Sequence, residues 1–305
     1  MDVDPGIDDA LALILALRSP EIRLALVTTV AGNGPLEMTT RNALRVLDHL
    51  GAAHIPVAAG AAAPLNKPFR GALGYHGRDA LGGIELPEGR MHSELRAADE
   101  LLYDFAASAP GQRIIVATGP LTNIAHALQR HDDMPSIVKE LIIMGGAFRL
   151  TRFGAGNQTP YAEFNIWQDP DAAYAVFRSG VPITIVGLDV TNDPSSALDK
   201  TDLARLREGG TRESVLASNL LEFALRGHCD CAMHDPLALA VALDRSLFGF
   251  VTGNVDVETH DDEQRGRTLL RTFEMAAGDR EGTHVAVSVD GPRFKELFLS
   301  RMLGV

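Results

Sequence analysis

Apolar segments of two kinds alternate along this chain, and the alternation restricts its fold more than any other feature. Leu24–Val30, Ile114–Ala117, Leu141–Met144 and Ile183–Gly187 are short, continuous apolar runs of the kind that fill a strand buried on both faces. Between and after them, Pro35–Leu50, Pro120–Leu128, Asp171–Arg178, Leu203–Glu208, Glu213–Arg226 and Asp235–Leu243 read as helices, the first with proline in its opening turn. The tail offers strands at Val251–Val257, Thr268–Phe273 and His284–Val289, then a helix from Pro292 to Met302. Strands alternating with helices predict an α/β fold, a mostly parallel central sheet covered by helices on both faces. No linker-like tract or internal repeat interrupts the pattern, so residues 1–305 are expected to form a single domain.

Open sheets of this type bind ligands beyond the carboxyl ends of their strands. The polar clusters fall in the corresponding loops, at residues 2–9, 31–34, 118–123, 145–165 and 234–235. The first, "MDVDPGIDDALALILAL", places Asp2, Asp4, Asp8 and Asp9 at the mouth of an apolar helix. Asp8 and Asp9 could simply cap that helix and complement its dipole. Capping does not account for Asp2 and Asp4, which precede the Pro5–Gly6 turn. The turn folds the chain back so that Asp4 converges on Asp8 and Asp9, and converging carboxylates suit a hard divalent cation, calcium or magnesium.

Two further clusters carry chemistry. In "MHDPLALA", Asp235 followed by Pro236 is a strong helix start, and His234 precedes it. In "GAGNQTPYAEFNIWQDPDAA", Asn157, Glu163 and Asn165 stand in a long loop, interleaved with Phe164, Ile166 and Trp167. Long loops inside compact domains are usually functional or disordered, and amides beside a carboxylate suit sugar hydroxyls.

The balance of charge excludes other partners. A formal net charge of −12 disfavours nucleic acid, which wants a basic face, and equally an anionic membrane surface. No apolar run reaches membrane-spanning length, and the first residues are acidic where a signal peptide would be basic, so the cytoplasm is the expected compartment. Cys229 and Cys231, one residue apart, are too close for an easy mutual disulfide and too few for a zinc site, and read as incidental thiols.

Taken in order, "DVDPGIDDALAL", "TTVAGNGPLEMTTRNALRVL", "HGRDALGG", "VATGPLTNIA", "IIMGGAF", "GNQTPYAEFNIWQDPDAA" and "MHDPLALA" resemble the inosine–uridine-preferring nucleoside hydrolases over nearly the whole chain. The resemblance implies a Rossmann-like nucleoside hydrolase fold and calcium-dependent hydrolysis of the N-glycosidic bond of a small-molecule ribonucleoside. It implies that Ca2+ is held by Asp4, Asp9, the main-chain oxygen of Thr118 and Asp235. Asp8, Asn33 and Asn165 would hydrogen-bond the ribose or the water, while Asn157 and Glu163 hold its 5′ side and Met144 packs nearby. Asp4 would be the general base, and His234 would assist the leaving base. A homo-oligomer, dimer or tetramer, is the expected assembly.

Two departures from the family pattern stand out. Members place a hydrophobic strand before the acidic motif, whereas here Met1 is followed at once by Asp2; the expectation is that this strand is truncated and that the native chain is longer. Base recognition would fall to His76, which matches a histidine of pyrimidine-preferring members, and to Ala224 and His228 in "NLLEFALRGHCDCAMHDP", which points to pyrimidine or broad specificity. Two alternatives compete. A phosphatase of the haloacid-dehalogenase type would use Asp2 as nucleophile, but lysines are few and the Asp8–Asp9 pair comes too early. A non-catalytic, calcium-dependent nucleoside-binding module would keep the carboxylates without turnover, and His234 beside Asp235 speaks against it.

Overall fold

A computed structural model describes residues 1–87, 92–272 and 282–304. Nine strands form one sheet in the order Thr268–Thr272, Phe248–Val257, Thr283–Val289, Ile183–Val186, Val138–Met144, Arg113–Ala117, Asp2–Val3, Val27–Thr29 and Val57–Ala59. The six strands from Ile183–Val186 to Val57–Ala59 run parallel, and Thr283–Val289 joins them in parallel. Phe248–Val257 then runs antiparallel to both of its neighbours. This is the single α/β domain that the alternating segments predict, with a short antiparallel extension at one edge.

Period-two alternation explains how the strands fill both sides. In Val138–Met144, Ile142 and Met144 join one apolar cluster while Leu141 and Ile143 join the other. Helices Ile7–Arg18, Leu36–His49, Arg212–Ala224, His234–Leu243 and Gly291–Leu303 cover the first face. Ala98–Ala107, Thr122–Arg130 and Pro170–Phe177 cover the second. Ile7–Arg18 is buried on every side from Ala10 to Ala16, as is His234–Leu243 from Asp235 to Val241, and the two pack against each other. A helix apolar all round belongs inside a fold, and these two place their first turns in its interior.

Several elements differ from the sequence expectation. A strand does stand before Asp4: Asp2–Val3 is only two residues long, yet it pairs with Val27–Thr29 on one side and Arg113–Ala117 on the other. Asp2 is fully buried there, accepting from the Thr28 hydroxyl at 2.6 Å and the Asn123 amide at 2.8 Å. Strand Val57–Ala59 and helix Ala98–Ala107 go beyond the expected elements, as does helix Phe164–Gln168 inside the long polar loop. The expected strand Thr268–Phe273 is seen to Thr272; Phe273 lies outside the described residues. Cys229 and Cys231 are free thiols, the first exposed and the second buried.

Candidate active site

The first turns of Ile7–Arg18 and His234–Leu243 meet beneath the carboxyl ends of the central strands, and Asp8, Asp9 and Asp235 come with them. One oxygen from each of these carboxylates lies within 4.8 Å of the others. At an effective dielectric near 20, two full charges at that distance repel by roughly 3 kcal/mol. The positive ends of two helix dipoles offset part of that cost, and a cation or bound protons must offset the rest.

Asp9 is the hub. Its Oδ1 accepts the Asp4 main-chain N–H at 3.2 Å and the Thr118 hydroxyl at 2.8 Å. Its Oδ2 accepts the Gly6 N–H at 3.0 Å and the Asn33 amide at 3.2 Å. The bond to Gly6 is the capping interaction expected of an acid in the first turn, so Asp9 caps its helix and faces the acidic cluster at once. Burial, then the charge of Asp8, push its pKa up to about 7.

Asp4 sits on the other side of this hub, against the backbone of Gly32 and Gly119, where a Cβ on either glycine would run into its carboxylate. Oδ2 accepts the Asn33 N–H at 2.7 Å, while Oδ1 is buried without a hydrogen-bond partner. Oδ1 of Asp8 is buried and unpartnered in the same way. Burial and the neighbouring acids, Asp9 first, raise the pKa of Asp4 well above the usual carboxylate range. Burial and the charge of Asp8 do the same to Asp235. Orphaned oxygens, oxygen-only donors and crowded carboxylates fit a hard divalent cation. The trio whose oxygens lie within 4.8 Å of one another contains Asp8, where the sequence reading places Asp4 among the metal ligands.

A cavity of about 300 Å³ opens above the acids, lined by Asp8, Asn33, Thr118, Asn165, His234 and Asp235 among others. Met144, Glu163, Asn157 and His76 also face it. Asn165 donates its amide to the Thr118 carbonyl at 2.7 Å and to the Met144 carbonyl at 3.3 Å, which leaves its own Oδ1 free to accept. Glu163 has a structural duty that the sequence reading did not assign: it caps helix Phe164–Gln168, accepting from Asn165 N–H at 2.8 Å and Ile166 N–H at 3.1 Å. Burial outweighs those bonds and lifts its pKa to about 7. Asn157 is exposed at the cavity rim.

His76 is buried, and its Nδ1 accepts the Ile7 N–H at 3.2 Å. An accepting Nδ1 requires a ring with its proton on Nε2, and burial lowers the pKa of His76 in agreement. His234 is half-buried, with Nδ1 2.7 Å from the Thr191 hydroxyl, and burial lowers its pKa as well. Ala224 and His228 do not line the main cavity. They line an adjoining one of about 330 Å³ that shares Asp8, Tyr75, His76 and Ala232 with it.

Tyr75 and Asn192 line the main cavity without having been singled out from sequence; Phe164, interleaved with the polar residues of its loop, lines it too. Asn192 had a usable signal, because "LDVTND" follows a predicted strand at its carboxyl end. A larger trough, about 990 Å³, lies at the opposite ends of the strands, between Val181, Pro182 and Thr283. Among the described residues it gathers no group of convergent acids.

The fold and this pocket together define an α/β protein whose cavity lies above clustered carboxylates. The chain belongs to the inosine-uridine preferring nucleoside hydrolase family, whose family model matches residues 1–296, and the enzyme hydrolyses ribonucleosides. It is 38% identical over 308 residues to the pyrimidine-specific ribonucleoside hydrolase RihA of Citrobacter koseri, covering 99% of this chain and 96% of that protein. Among solved structures, the purine-preferring ribonucleoside hydrolase from Gardnerella vaginalis superposes with a TM-score of 0.91 at 33% identity, over 99% of this chain and 97% of that one. The plant nucleoside hydrolase PpNRh1 matches equally well, with a TM-score of 0.91 at 32% identity, over 100% and 98% of the two chains.

Proposed function

We propose that this enzyme cleaves ribonucleosides, pyrimidine ribonucleosides foremost, with a calcium ion held by Asp4, Asp9, Asp235 and the main-chain oxygen of Thr118. The carrying observation is the convergence of buried carboxylates from the two ends of the chain beneath one cavity, with Oδ1 of both Asp4 and Asp8 left unpartnered. Calcium, when bound, supplies the positive charge that makes a nearby water more acidic and seats two vicinal hydroxyls.

In this reading Asp4 accepts a proton from the attacking water at Oδ1, the oxygen that no protein group satisfies. The water meets C1′ on the face opposite the base, and the sugar inverts. Positive charge develops on the ribose in the transition state. Asn165 is suited to stabilise it, since its amide donates to the Thr118 and Met144 carbonyls and to Met144 Sδ, which keeps its Oδ1 as an acceptor. Asp8 and Asn33 hold the ribose or the water, Asn157 and Glu163 its 5′ side, with Met144 packed nearby. His234 gives the departing base a proton.

Pyrimidine preference draws support from the name of the RihA relative and from His76, whose bond to Ile7 leaves Nε2–H as a donor for a carbonyl of the base. Ala224 and His228 would face the far edge of a larger base from the adjoining cavity. By resemblance to the family we propose a homo-oligomer, dimer or tetramer, and we keep the cytoplasm as the expected compartment. The deciding experiment measures free ribose from uridine, cytidine, inosine and adenosine, with calcium, with chelator, and with calcium restored. Chelator-sensitive release, fastest from the pyrimidines, is expected. Release that ignores chelator would overturn the calcium assignment, and exclusive inosine cleavage would overturn the base preference.

A further inference from the structure

Thr191 is fully buried at the end of the short helix Leu188–Thr191, which follows strand Ile183–Val186. Its hydroxyl lies 2.7 Å from Nδ1 of His234, the one hydrogen bond recorded for that ring among the described residues. The helix that carries it is itself fixed. Asp189 accepts from the main-chain N–H groups of Phe148 at 2.7 Å, Leu150 at 2.5 Å and Thr151 at 3.0 Å. The Thr151 hydroxyl adds a bond to the Asp189 carbonyl at 2.7 Å, and Thr191 N–H donates to the Gly187 carbonyl at 3.0 Å. The next residue, Asn192, lines the cavity.

We infer that Thr191 is the positioning residue for proton delivery to the leaving base: its hydroxyl engages Nδ1 of His234, so that Nε2 is the nitrogen presented to the bond being broken. The inference rests on His234 being the proton donor of the proposed mechanism. A hydroxyl both donates and accepts, so it can hold Nδ1 with or without a proton there, which a carbonyl or an ammonium group could not do. In the step itself the C1′–N electron pair moves onto the base and the Nε2–H bond breaks, its proton passing to the base. The ring enters the step as imidazolium and leaves it neutral, its remaining Nδ1–H donating a hydrogen bond to the Thr191 hydroxyl. Without the hydroxyl the ring can rotate about its side-chain bonds, and misplacement of a donor by even an ångström is costly in rate.

The test compares Thr191→Val, which keeps the shape and removes the hydroxyl, with Thr191→Ser, which keeps the hydroxyl, and with His234→Ala. Each is assayed on uridine and on 4-nitrophenyl riboside, whose leaving group needs no proton. For Thr191→Val, kcat on uridine should fall about 10- to 100-fold with KM within about threefold, while the nitrophenyl substrate changes by less than about threefold. Thr191→Ser should return uridine turnover to within about threefold of the parent. If the valine variant fails to fold, Thr191→Ala should show the same split between substrates. Equal losses on both substrates, or serine no better than valine, would overturn the inference. If His234→Ala is selective for uridine and Thr191→Val is not, the positioning role falls and the acid role stands. If His234→Ala slows both substrates alike, the acid role falls and the positioning role with it.

Discussion

The Thr118 hydroxyl donates to Oδ1 of Asp9 at 2.8 Å, tying the end of a central strand to the first turn of a helix 109 positions away in the chain. The same residue offers its main-chain carbonyl to the Asn165 amide at 2.7 Å. Thr118 therefore orients an acid through its side chain and holds Asn165 through its backbone. Thr118→Val removes only the first of these. Groups that orient metal ligands typically contribute 10- to 100-fold in affinity. Calcium affinity of Thr118→Val, measured by titration calorimetry, should weaken about 10-fold while the protein stays folded. An unchanged affinity would show that the hydroxyl does not orient Asp9 for a metal.

Asp4→Asn tests the general base. The amide can still accept from the Asn33 N–H, a contact of 2.7 Å, and it fits the space between Gly32 and Gly119, so the fold should tolerate it. It cannot take up a proton from water. Turnover of uridine at saturating calcium should fall by about a thousandfold or more, which combines a lost base with a lost ligand charge. Thermal melting with and without calcium separates the two, because a lost ligand also diminishes the stabilisation by calcium. Near-normal turnover would remove Asp4 from the chemistry.

How much of this was legible in the sequence depends on what made each element form. The buried strands and amphipathic helices were readable from periodicity, since burial on both faces leaves a continuous apolar run and burial on one leaves a stripe. Val57–Ala59 was not, because three residues of small apolar type carry too little pattern. Asp2–Val3 was hidden for a different reason: a polar residue occupies a central strand, and only the tertiary partners Thr28 and Asn123 make that possible. The acids of the site were visible as motifs, and their convergence followed from where βα loops lie in such sheets. The second duty of Glu163 as a helix cap and the bond between Thr191 and His234 depend on side-chain geometry that spacing does not encode.

Stability should depend on pH in a way that calcium reverses. In the metal-free protein, Asp2 is raised to about 6 by burial, Asp9 to about 7 by burial and Asp8, and Glu163 to about 7 by burial. In the unfolded chain these groups ionise near pH 4. Between those limits the folded state holds protons that the unfolded state has released, so stability falls as pH rises from about 4 to about 7, and levels off above. The calcium ion proposed here would need the ionised carboxylates and would displace those protons. Its increment in Tm should therefore be small at pH 5 and grow steadily to pH 8, read by scanning fluorimetry with chelator or excess calcium. An increment that is flat or shrinks with pH would contradict this account of the acids.

His76 supplies the test of base preference. Its Nδ1 is occupied by the Ile7 N–H at 3.2 Å, and the ring borders both the main cavity and the adjoining one. Burial keeps it neutral, so what it offers a ligand is the single donor at Nε2. A pyrimidine carbonyl placed there gains a hydrogen bond, and a buried donor left without one costs about 1–3 kcal/mol. His76→Ala should accordingly lower kcat/KM for uridine by about 10- to 100-fold, with a smaller loss for inosine, whose larger base has other contacts within reach in the adjoining cavity. His76→Gln, which retains a donor at similar reach, should recover part of the loss on uridine. Equal losses on uridine and inosine, with no recovery by glutamine, would mean that His76 supports the helix start at Ile7 and takes no part in choosing the base.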